Sequence, residues 1–367
     1  MLSSLGVSNL HRSLLRPLAL LGLLAAFTGC GGGSAAGAPP AGANGAVTPS
    51  DDNGPADDAP ITEAPTPPKA TGNPLKGVKL WIDPDTNAAL RANALDKTQP
   101  DVAKLFRERI AKYSQALWLG EWNSNVYRKV KFVVDQASAA GEVPTFILYN
   151  VPGRDCGQHS AGGLKTKEAY QRWVRKVAAG IGDRSAIVVL EPDALGLLEK
   201  ENCMTKEQQA ERLFLLHDAI KVLRQNPKNI VYLDGGHSRW HPVEEHARLL
   251  KMAGVEDANG FALNTSNYRA MEELLPFGKK LSALLGGAHY VIDTSRNGAG
   301  PYGTEWCNPP GRKLGLPPTT ETQDPECDAY LWLKRPGESD GSCNGAPAAG
   351  AFWDKQAIEL ATPMDAK

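Results

Sequence analysis

The amino-acid sequence predicts an α/β fold: a distorted, TIM-like (β/α) barrel of parallel strands in a single domain. Short apolar runs alternate with amphipathic segments whose apolar residues recur at helical spacing. Repeated strand-then-helix units are typical of a parallel sheet. No strand leads into a Gly-x-Gly-x-x-Gly turn, which argues against an open, doubly wound sheet.

We interpret eight apolar runs as strands and six amphipathic segments as helices. The strands are residues 78–82, 116–118, 145–149, 186–190, 230–233, 261–263, 289–292 and 329–333. The helices are residues 102–113, 126–139, 167–181, 206–223, 243–252 and 268–285. Seven or eight such units favour closure of the sheet into a barrel.

The first 30 residues are typical of an export signal. A basic start (residues 11–16) precedes an apolar run (residues 17–27) that is too short to span a bilayer. The run ends in Phe-Thr-Gly-Cys, which resembles a bacterial lipobox with Cys30 as the lipidated residue; an ordinary cleaved signal peptide is the alternative. We therefore expect an exported protein, either a cell-surface or outer-membrane lipoprotein or a secreted one.

Composition divides the rest of the chain. Residues 31–75 are rich in Gly, Ala, Pro and Thr and lack aromatic residues, which predicts a disordered linker. Residues 76–367 have a length suited to one α/β barrel. The formal charge of −1 gives no electrostatic footprint for nucleic acid. No later run is long and apolar enough to span a membrane, so membrane contact is expected only through a lipid anchor at Cys30.

Polar side chains follow nearly every predicted strand. They are Asp83, Asp155, Asp193, Asp234, Asn264, Asp293 and Asp340. Any one of them could be a helix N-cap, but their equivalent positions favour a cleft at the face where barrel enzymes build their sites. Carboxylates gathered there suit acid/base cleavage of a glycosidic bond.

Three acids are the candidates for that chemistry. Asp193 needs burial or a negative neighbour such as Asp155 to keep its proton near neutral pH. Lys334 and Glu338 offer charges that would keep Asp340 ionised. A surface ion pair between the adjacent Arg154 and Asp155, and a solvated loop around Asp340, are the structural alternatives.

Tryptophans and cysteines form the second set of candidates. Trp118, Trp122, Trp240, Trp306 and Trp332 lie in or beside strand ends, where indole faces suit pyranose rings and core packing is the alternative. His237 and His241 lack the Glu of a zincin motif, so no metal site is predicted. Export makes disulfides plausible, but spacing alone does not pair the five cysteines of residues 76–367.

An ordered set of motifs resembles glycoside hydrolase family 6, which holds bacterial and fungal β-1,4-glucanases and cellobiohydrolases. The motifs are YNVPGRDCG (149–157), EPD (191–193), DGGHSRW (234–240), NTSNY (264–268), DTSRNG (293–298), EWC (305–307) and WLKRPGESDG (332–341). The resemblance implies a seven-stranded barrel, one strand fewer than the apolar runs, and inversion at the anomeric carbon. It implies no cofactor.

The resemblance also implies catalytic roles. Asp193 corresponds to the general acid, and Asp155 to the residue that raises its pKa and organises the attacking water. Asp340 corresponds to the base, acting directly or through a chain of waters. Tyr149 corresponds to a tyrosine that distorts the sugar at subsite −1, and Arg154 to its neighbour.

Substrate-binding residues and disulfides are implied in the same way. Sugar contacts fall on Trp118 and Trp306 (subsite −2), Trp240 (subsite +1), Asn264, His237, Lys334 and Glu338. The disulfides implied are Cys156–Cys203 and Cys307–Cys343, which leaves Cys327 as a buried, inert thiol.

The cystine-framed loops predict the mode of action. They hold 46 and 35 intervening residues, shorter than the cleft-roofing insertions of the cellobiohydrolases in the family. We therefore expect a monomeric, inverting endo-β-1,4-glucanase acting on cellulose or related β-glucans. A cellobiohydrolase and a non-catalytic glucan-binding lipoprotein are the alternatives.

Overall fold

A seven-stranded parallel sheet, whose strand order follows the chain, forms the centre of the molecule. The computed structural model describes residues 54–56, 58–157 and 160–363. The strands are β1 Leu117–Leu119, β2 Thr145–Leu148, β3 Ala186–Leu190, β4 Asn229–Asp234, β5 Gly260–Leu263, β6 His289–Asp293 and β7 Cys327–Leu331. The predicted α/β fold with about seven parallel strands is confirmed.

The sheet curls until its first and last strands meet. The Ala116 N–H donates to the Trp332 carbonyl at 2.9 Å. The Trp118 indole N–H donates to the Leu333 carbonyl at 2.8 Å, and the Arg335 side chain donates to the Ala116 carbonyl at 2.8 Å. One backbone bond and two side chains thus join the edges without a β-ladder in the described residues, which makes the barrel a distorted one.

Helices cover the outside of the sheet. In the described residues they are α1 Asn87–Leu95, α2 Pro100–Phe106, α3 Val126–Ala139, α4 Lys167–Ile181, α5 Lys206–Leu223, α6 Val243–Met252, α7 Met271–Leu284 and α8 Asp354–Ala361, with a π-helical segment Arg107–Ala111 after α2. None of the described helices is long and apolar enough to cross a bilayer. Thr86, Asn125, Thr166 and Thr205 cap α1, α3, α4 and α5 by accepting a backbone N–H of the first turn.

Alternation along the strands divides the core into two layers. In β3, Ile187 and Val189 belong to the cluster inside the barrel, whereas Val188 and Leu190 belong to the cluster between sheet and helices. Because both faces are covered, every residue of β3 is buried.

The prediction of a strand at residues 78–82 is wrong. Leu80 forms only an isolated bridge with Val143, just before β2. Val78 and Leu80 pack with Leu75 against the cluster inside the barrel, Trp81 belongs to the cluster between sheet and helices, and Ile82 is exposed. Except at Ile82, the apolar pattern therefore reflects burial in these two clusters and not membership of the sheet.

Part of the predicted linker has contacts that composition did not predict. The carbonyls of Thr62, Pro65 and Pro68 accept hydrogen bonds from Arg175, Gln225 and Arg224, and Glu63 pairs with Lys221 at 2.7 Å. The donors belong to α4, α5 and the turn after α5. The predicted signal peptide, Cys30 and the linker up to residue 53 lie outside the described residues.

Leu75, the last residue of the predicted linker, offers a test of how firmly the end of that linker is anchored to the barrel. Its side chain is fully buried, so Leu75→Ala should lower the free energy of unfolding by about 2–5 kcal/mol. Chemical denaturation of the full chain measures the change. Leu90→Ala, at a half-exposed leucine of α1, is the control and should change it by less than about 0.5 kcal/mol. Equal stability of the two variants would contradict the anchoring.

Candidate active site

A cleft of about 1150 Å³ lies at the carboxyl ends of the strands. Asp155, Asp193 and Asp340 all line it, as the sequence predicted. Tyr149, Arg154, Trp118, Trp240, Trp306, His237, Lys334 and Glu338 line it as well. Strand β1 and the loops after β2, β3, β4, β6 and β7 thus bring most of the predicted site residues together.

Asp193 lies three residues beyond β3, at the floor of the cleft. Enclosure of its carboxyl, together with the charges of Asp234 and Asp155, raises its pKa to about 8. Tyr149 Oη lies 3.5 Å from Asp193 Oδ2. The Asp193 backbone N–H donates to Asp234 Oδ2 at 3.2 Å, which fixes the two acids next to each other. Asp193 is therefore a carboxylic acid that keeps its proton at neutral pH.

Asp340 has the opposite electrostatic setting. Its Oδ2 accepts hydrogen bonds from Arg296 at 2.9 Å, from the Tyr268 hydroxyl at 3.2 Å and from the Asn308 N–H at 3.1 Å. Lys334 Nζ lies 3.6 Å from Oδ1. Burial acts to raise the pKa of Asp340, but Arg296 and Lys334 outweigh it and lower that pKa. The cleft thus holds a protonated acid and an ionised one.

The predicted charge network around Asp340 is right only in part. Lys334 is near, but the Glu338 carboxylate accepts from the Asn87 amide at 2.7 Å and lies 3.9 Å from Arg335. The principal counter-ion is Arg296, a fully buried arginine after β6. Sequence reasoning missed it because 44 residues separate it from Asp340.

Asp155 and Arg154 leave β2 together but bind different partners. Arg154 is buried and bidentate to Glu121, at 2.8 and 3.0 Å, so the alternative of a surface ion pair with Asp155 is wrong. Its guanidinium lies 4.4 Å from the centre of the Tyr149 ring. Asp155 Oδ2 accepts the Ser160 N–H at 2.7 Å. Glu121 lies two residues beyond β1, so the pattern of polar residues after strands could have predicted it.

Glu191 ties the loops after β2 and β3 together. Its fully buried carboxylate accepts the N–H groups of Asn150 at 2.9 Å and Val151 at 3.1 Å, and the Tyr170 hydroxyl at 2.9 Å. Burial raises the pKa of Glu191 to about 7, despite these donors. It therefore fixes the loop that carries Arg154 and Asp155 relative to Asp193.

Left-handed backbone conformations cluster around the site. Positive φ values occur at Asp155 (61°), Glu191 (50°), Asp193 (69°), Asn264 (69°) and Asn308 (48°). Residues with a side chain seldom adopt this region, and such strain collects at functional sites. The hydrogen bonds of the loops hold these residues in place.

The tryptophans fall into two groups. Trp118 meets the Tyr149 ring edge-on at 5.2 Å, and Trp240 lies nearly parallel to the rings of His237 and His241, at 5.4 and 6.2 Å. Trp306 is 41% exposed at the cleft. Trp332 is buried and donates to the Leu316 carbonyl, so it belongs to the core.

Asn264 and His237 differ in their access to the cleft. His237 lines it as a neutral ring, because burial, aided by Arg269, lowers its pKa to about 4. Asn264 is fully buried and does not line the cleft, contrary to its predicted role in substrate binding. Its amide donates to the carbonyls of Asp293 and Asn267, at 2.8 and 3.3 Å. It thereby shapes the loop whose other residues face the cleft.

Two disulfides hold the loops beside the cleft. They are Cys156–Cys203 and Cys307–Cys343, the pairs that the resemblance implied. Cys327 is a free, buried thiol whose pKa is raised by burial, as expected of an inert cysteine. Cys156 follows Asp155 directly, so the first disulfide anchors the loop that carries that acid.

Comparison with known proteins finds the same family along most of the chain. Residues 75–364 match the family model of glycosyl hydrolases family 6. Endoglucanase A of Thermobispora bispora is 42% identical over 289 residues, which are 77% of this chain and 61% of that protein. Endoglucanase 1 of Streptomyces sp. (strain KSM-9) is 42% identical over 290 residues, 78% of this chain and 76% of that protein. The chain thus spans about three-fifths of the first relative.

Solved structures agree with the sequence comparison. The endoglucanase Cel6 of Mycobacterium tuberculosis, solved with methyl-cellobiosyl-4-deoxy-4-thio-β-D-cellobioside, is 41% identical to this chain. The similarity covers 78% of this chain and 98% of that one, with a TM-score of 0.73.

Removal of Arg296 tests the electrostatic setting of Asp340. Arg296→Met should lower the free energy of unfolding at pH 7 by about 3–5 kcal/mol, because it leaves a buried carboxylate without its main counter-ion. The double variant Arg296→Met/Asp340→Asn should recover part of the loss. Denaturation of the full chain measures both.

The pH dependence of the difference in stability between wild type and Arg296→Met provides the control for this experiment. A lowered folded pKa of Asp340 contributes stability above its unfolded pKa of about 3.9, and this is lost as the pH falls through the folded value. The gap between wild type and Arg296→Met should therefore shrink in acid. Arg248→Met, at an exposed pair, should have a small effect at every pH. A gap that does not depend on pH would contradict the assignment.

Proposed function

The chain belongs to glycosyl hydrolases family 6, and on that premise we propose that it is an inverting endo-β-1,4-glucanase. Its substrate is cellulose or a related β-glucan. The observation that carries acid/base hydrolysis is the pair of acids in one cleft with opposite protonation, Asp193 and Asp340, and inversion is proposed from membership of the family. Inverting hydrolysis needs one carboxylic acid to protonate the leaving oxygen and a carboxylate to activate water.

Asp193 acts as the general acid in this proposal. Its pKa of about 8 keeps the proton in place at neutral pH until the glycosidic oxygen takes it. Burial of the carboxyl is the main reason for this raised pKa, and the negative charges of Asp234 and Asp155 add to it. Once Asp193 has given up its proton, burial and these charges favour recovery of the proton from solvent.

Asp155 and Asp340 organise the attacking water. Asp340 is a weak base, because three donors occupy its Oδ2 and its pKa is lowered. The proton of that water passes to Asp340 directly or through intervening water in this proposal, with Asp155 orienting the nucleophile. The bond from Asp155 Oδ2 to the Ser160 N–H supports that position for Asp155.

Aromatic and polar side chains position the glucan. Trp118 and Trp306 stack on the sugar at subsite −2, and Trp240 on the sugar at subsite +1. Tyr149, braced by Arg154, crowds the sugar at subsite −1 and favours a distorted ring. The exposure of indole surface along the cleft supports these contacts.

Loop length supports internal cleavage. The disulfides close loops with sequence separations of only 47 and 36, and the two curated relatives compared above carry the name endoglucanase. A cellobiohydrolase is the second candidate from the same family. Export and lipidation of Cys30 stay predictions from the sequence.

Parallel records of viscosity and reducing ends test this function. On a soluble cellulose derivative, the full chain should cause a steep fall in viscosity for each reducing end formed, because internal cuts shorten chains fastest. Reducing ends with little loss of viscosity would instead mean end-wise release. No reducing ends at all would contradict the enzymatic function.

A matched pair of variants assigns the acid in the same assay. Asp193→Ala should lower the rate at least about 100-fold while glucan binding persists, and Asp183→Ala, at an exposed aspartate before β3, should match wild type. The rate of wild type should also fall as the pH rises through about 8, where Asp193 loses its proton. Full activity of Asp193→Ala would remove the assignment.

A further inference from the structure

Trp122 is an exposed tryptophan in the cleft that has no role in the mechanism proposed above. Its side chain lines the same cleft as Asp193 and is 52% exposed. Burial is the usual fate of so large an apolar side chain, so an exposed indole inside a cleft calls for a ligand.

The backbone beneath Trp122 forms a tight, doubly bonded turn. The Asn123 N–H donates to the Gly120 carbonyl at 3.0 Å, and the Gly120 N–H donates to Asn123 Oδ1 at 3.0 Å. The turn follows β1 directly, so the sheet positions it. The backbone that carries Trp122 is therefore held in place by hydrogen bonds within the protein, without a ligand.

The six-membered ring of the indole lies against Gly120. A Cβ atom at Gly120 would fall 2.3 Å from Cζ3 and 2.4 Å from Cη2 of Trp122. The φ angle of Gly120 is not positive, so backbone conformation does not require glycine there. What requires it is the space that the indole occupies.

Arg154 braces the indole from the neighbouring loop. Its guanidinium lies 5.4 Å from the centre of the Trp122 ring. Arg154 is itself held by Glu121 and by the carbonyls of Tyr149 and Ser160, at 2.6 and 2.8 Å. The indole is thus exposed yet held from two sides, which lowers the entropy lost when a ligand stacks on it.

We propose that Trp122 is a further sugar-stacking platform, at the β1 edge of the cleft, for a β-linked glucose unit of the bound glucan. The apolar C–H face of a pyranose ring is complementary to the exposed indole face. This inference rests on the proposed function and adds a binding residue to it.

Binding to a catalytically inactive chain tests the platform. In the full chain carrying Asp193→Ala, titration calorimetry with cellohexaose should show binding that is about tenfold weaker when Trp122→Ala is added. Trp122→Phe should restore most of the affinity, because it keeps an aromatic face. Gly120→Ala should weaken binding in the same direction with the indole still present, because its methyl group displaces the ring.

Controls separate a platform from a structural support. Phe132→Ala removes an exposed aromatic ring of α3 outside the cleft and should bind as the parent does. With Asp193 intact, Trp122→Ala should raise KM and leave kcat within about twofold. Unchanged cellohexaose binding in Trp122→Ala would overturn the platform. A fall in kcat at unchanged KM would also overturn it, since Trp122 would then act only through Arg154. Absence of binding by the parent chain would overturn the proposed function itself.

Discussion

The cost of burying charge at the carboxyl ends of the strands is the constraint on which the site depends. An ionised carboxylate removed from water must find a partner or give up its charge. Three acids of the site avoid an unpaired buried charge, each in a different way. Asp193 keeps its proton beside two other acids, Asp340 is paired with Arg296, and Glu191 is held by backbone N–H groups. Three acids at one face of the barrel thereby acquire three different chemical characters.

The same hydrogen bonds that settle these charges also build the site. Glu191 joins the loop after β2 to the loop after β3, and Arg154 joins the loop after β2 to Glu121 after β1. The residues with positive φ in the loops after β2 and β3 need such restraint, because their backbone conformation is strained. Because each restraint is itself a buried ionic or backbone bond, loss of one partner would alter both the position and the protonation of its neighbours. Structural support and acid–base character are therefore properties of one network.

Much of the fold and of the site could be predicted from the sequence, for identifiable reasons. Buried parallel strands produce continuous apolar runs, and acids in the loops that follow them mark the cleft, which is why Asp155, Asp193 and Asp340 could be predicted. Partners distant in sequence were not predictable in this way: nothing local connects Arg296 to Asp340. Asn264 follows the strand-exit pattern yet faces the protein interior, because its amide is used by backbone carbonyls. Residues 62–68 lack apolar bulk, and their contacts depend on donors from distant helices.

The most direct measurement is the protonation state of the two acids themselves. Carbon-13 NMR of the full chain, labelled at the aspartate carboxyl carbons and assigned with Asp193→Asn and Asp340→Asn, reports each state as a function of pH. The account predicts that Asp193 is protonated at neutral pH and titrates near 8, while Asp340 remains a carboxylate to below its ordinary pKa. An ionised Asp193 at neutral pH, or a protonated Asp340, would contradict it.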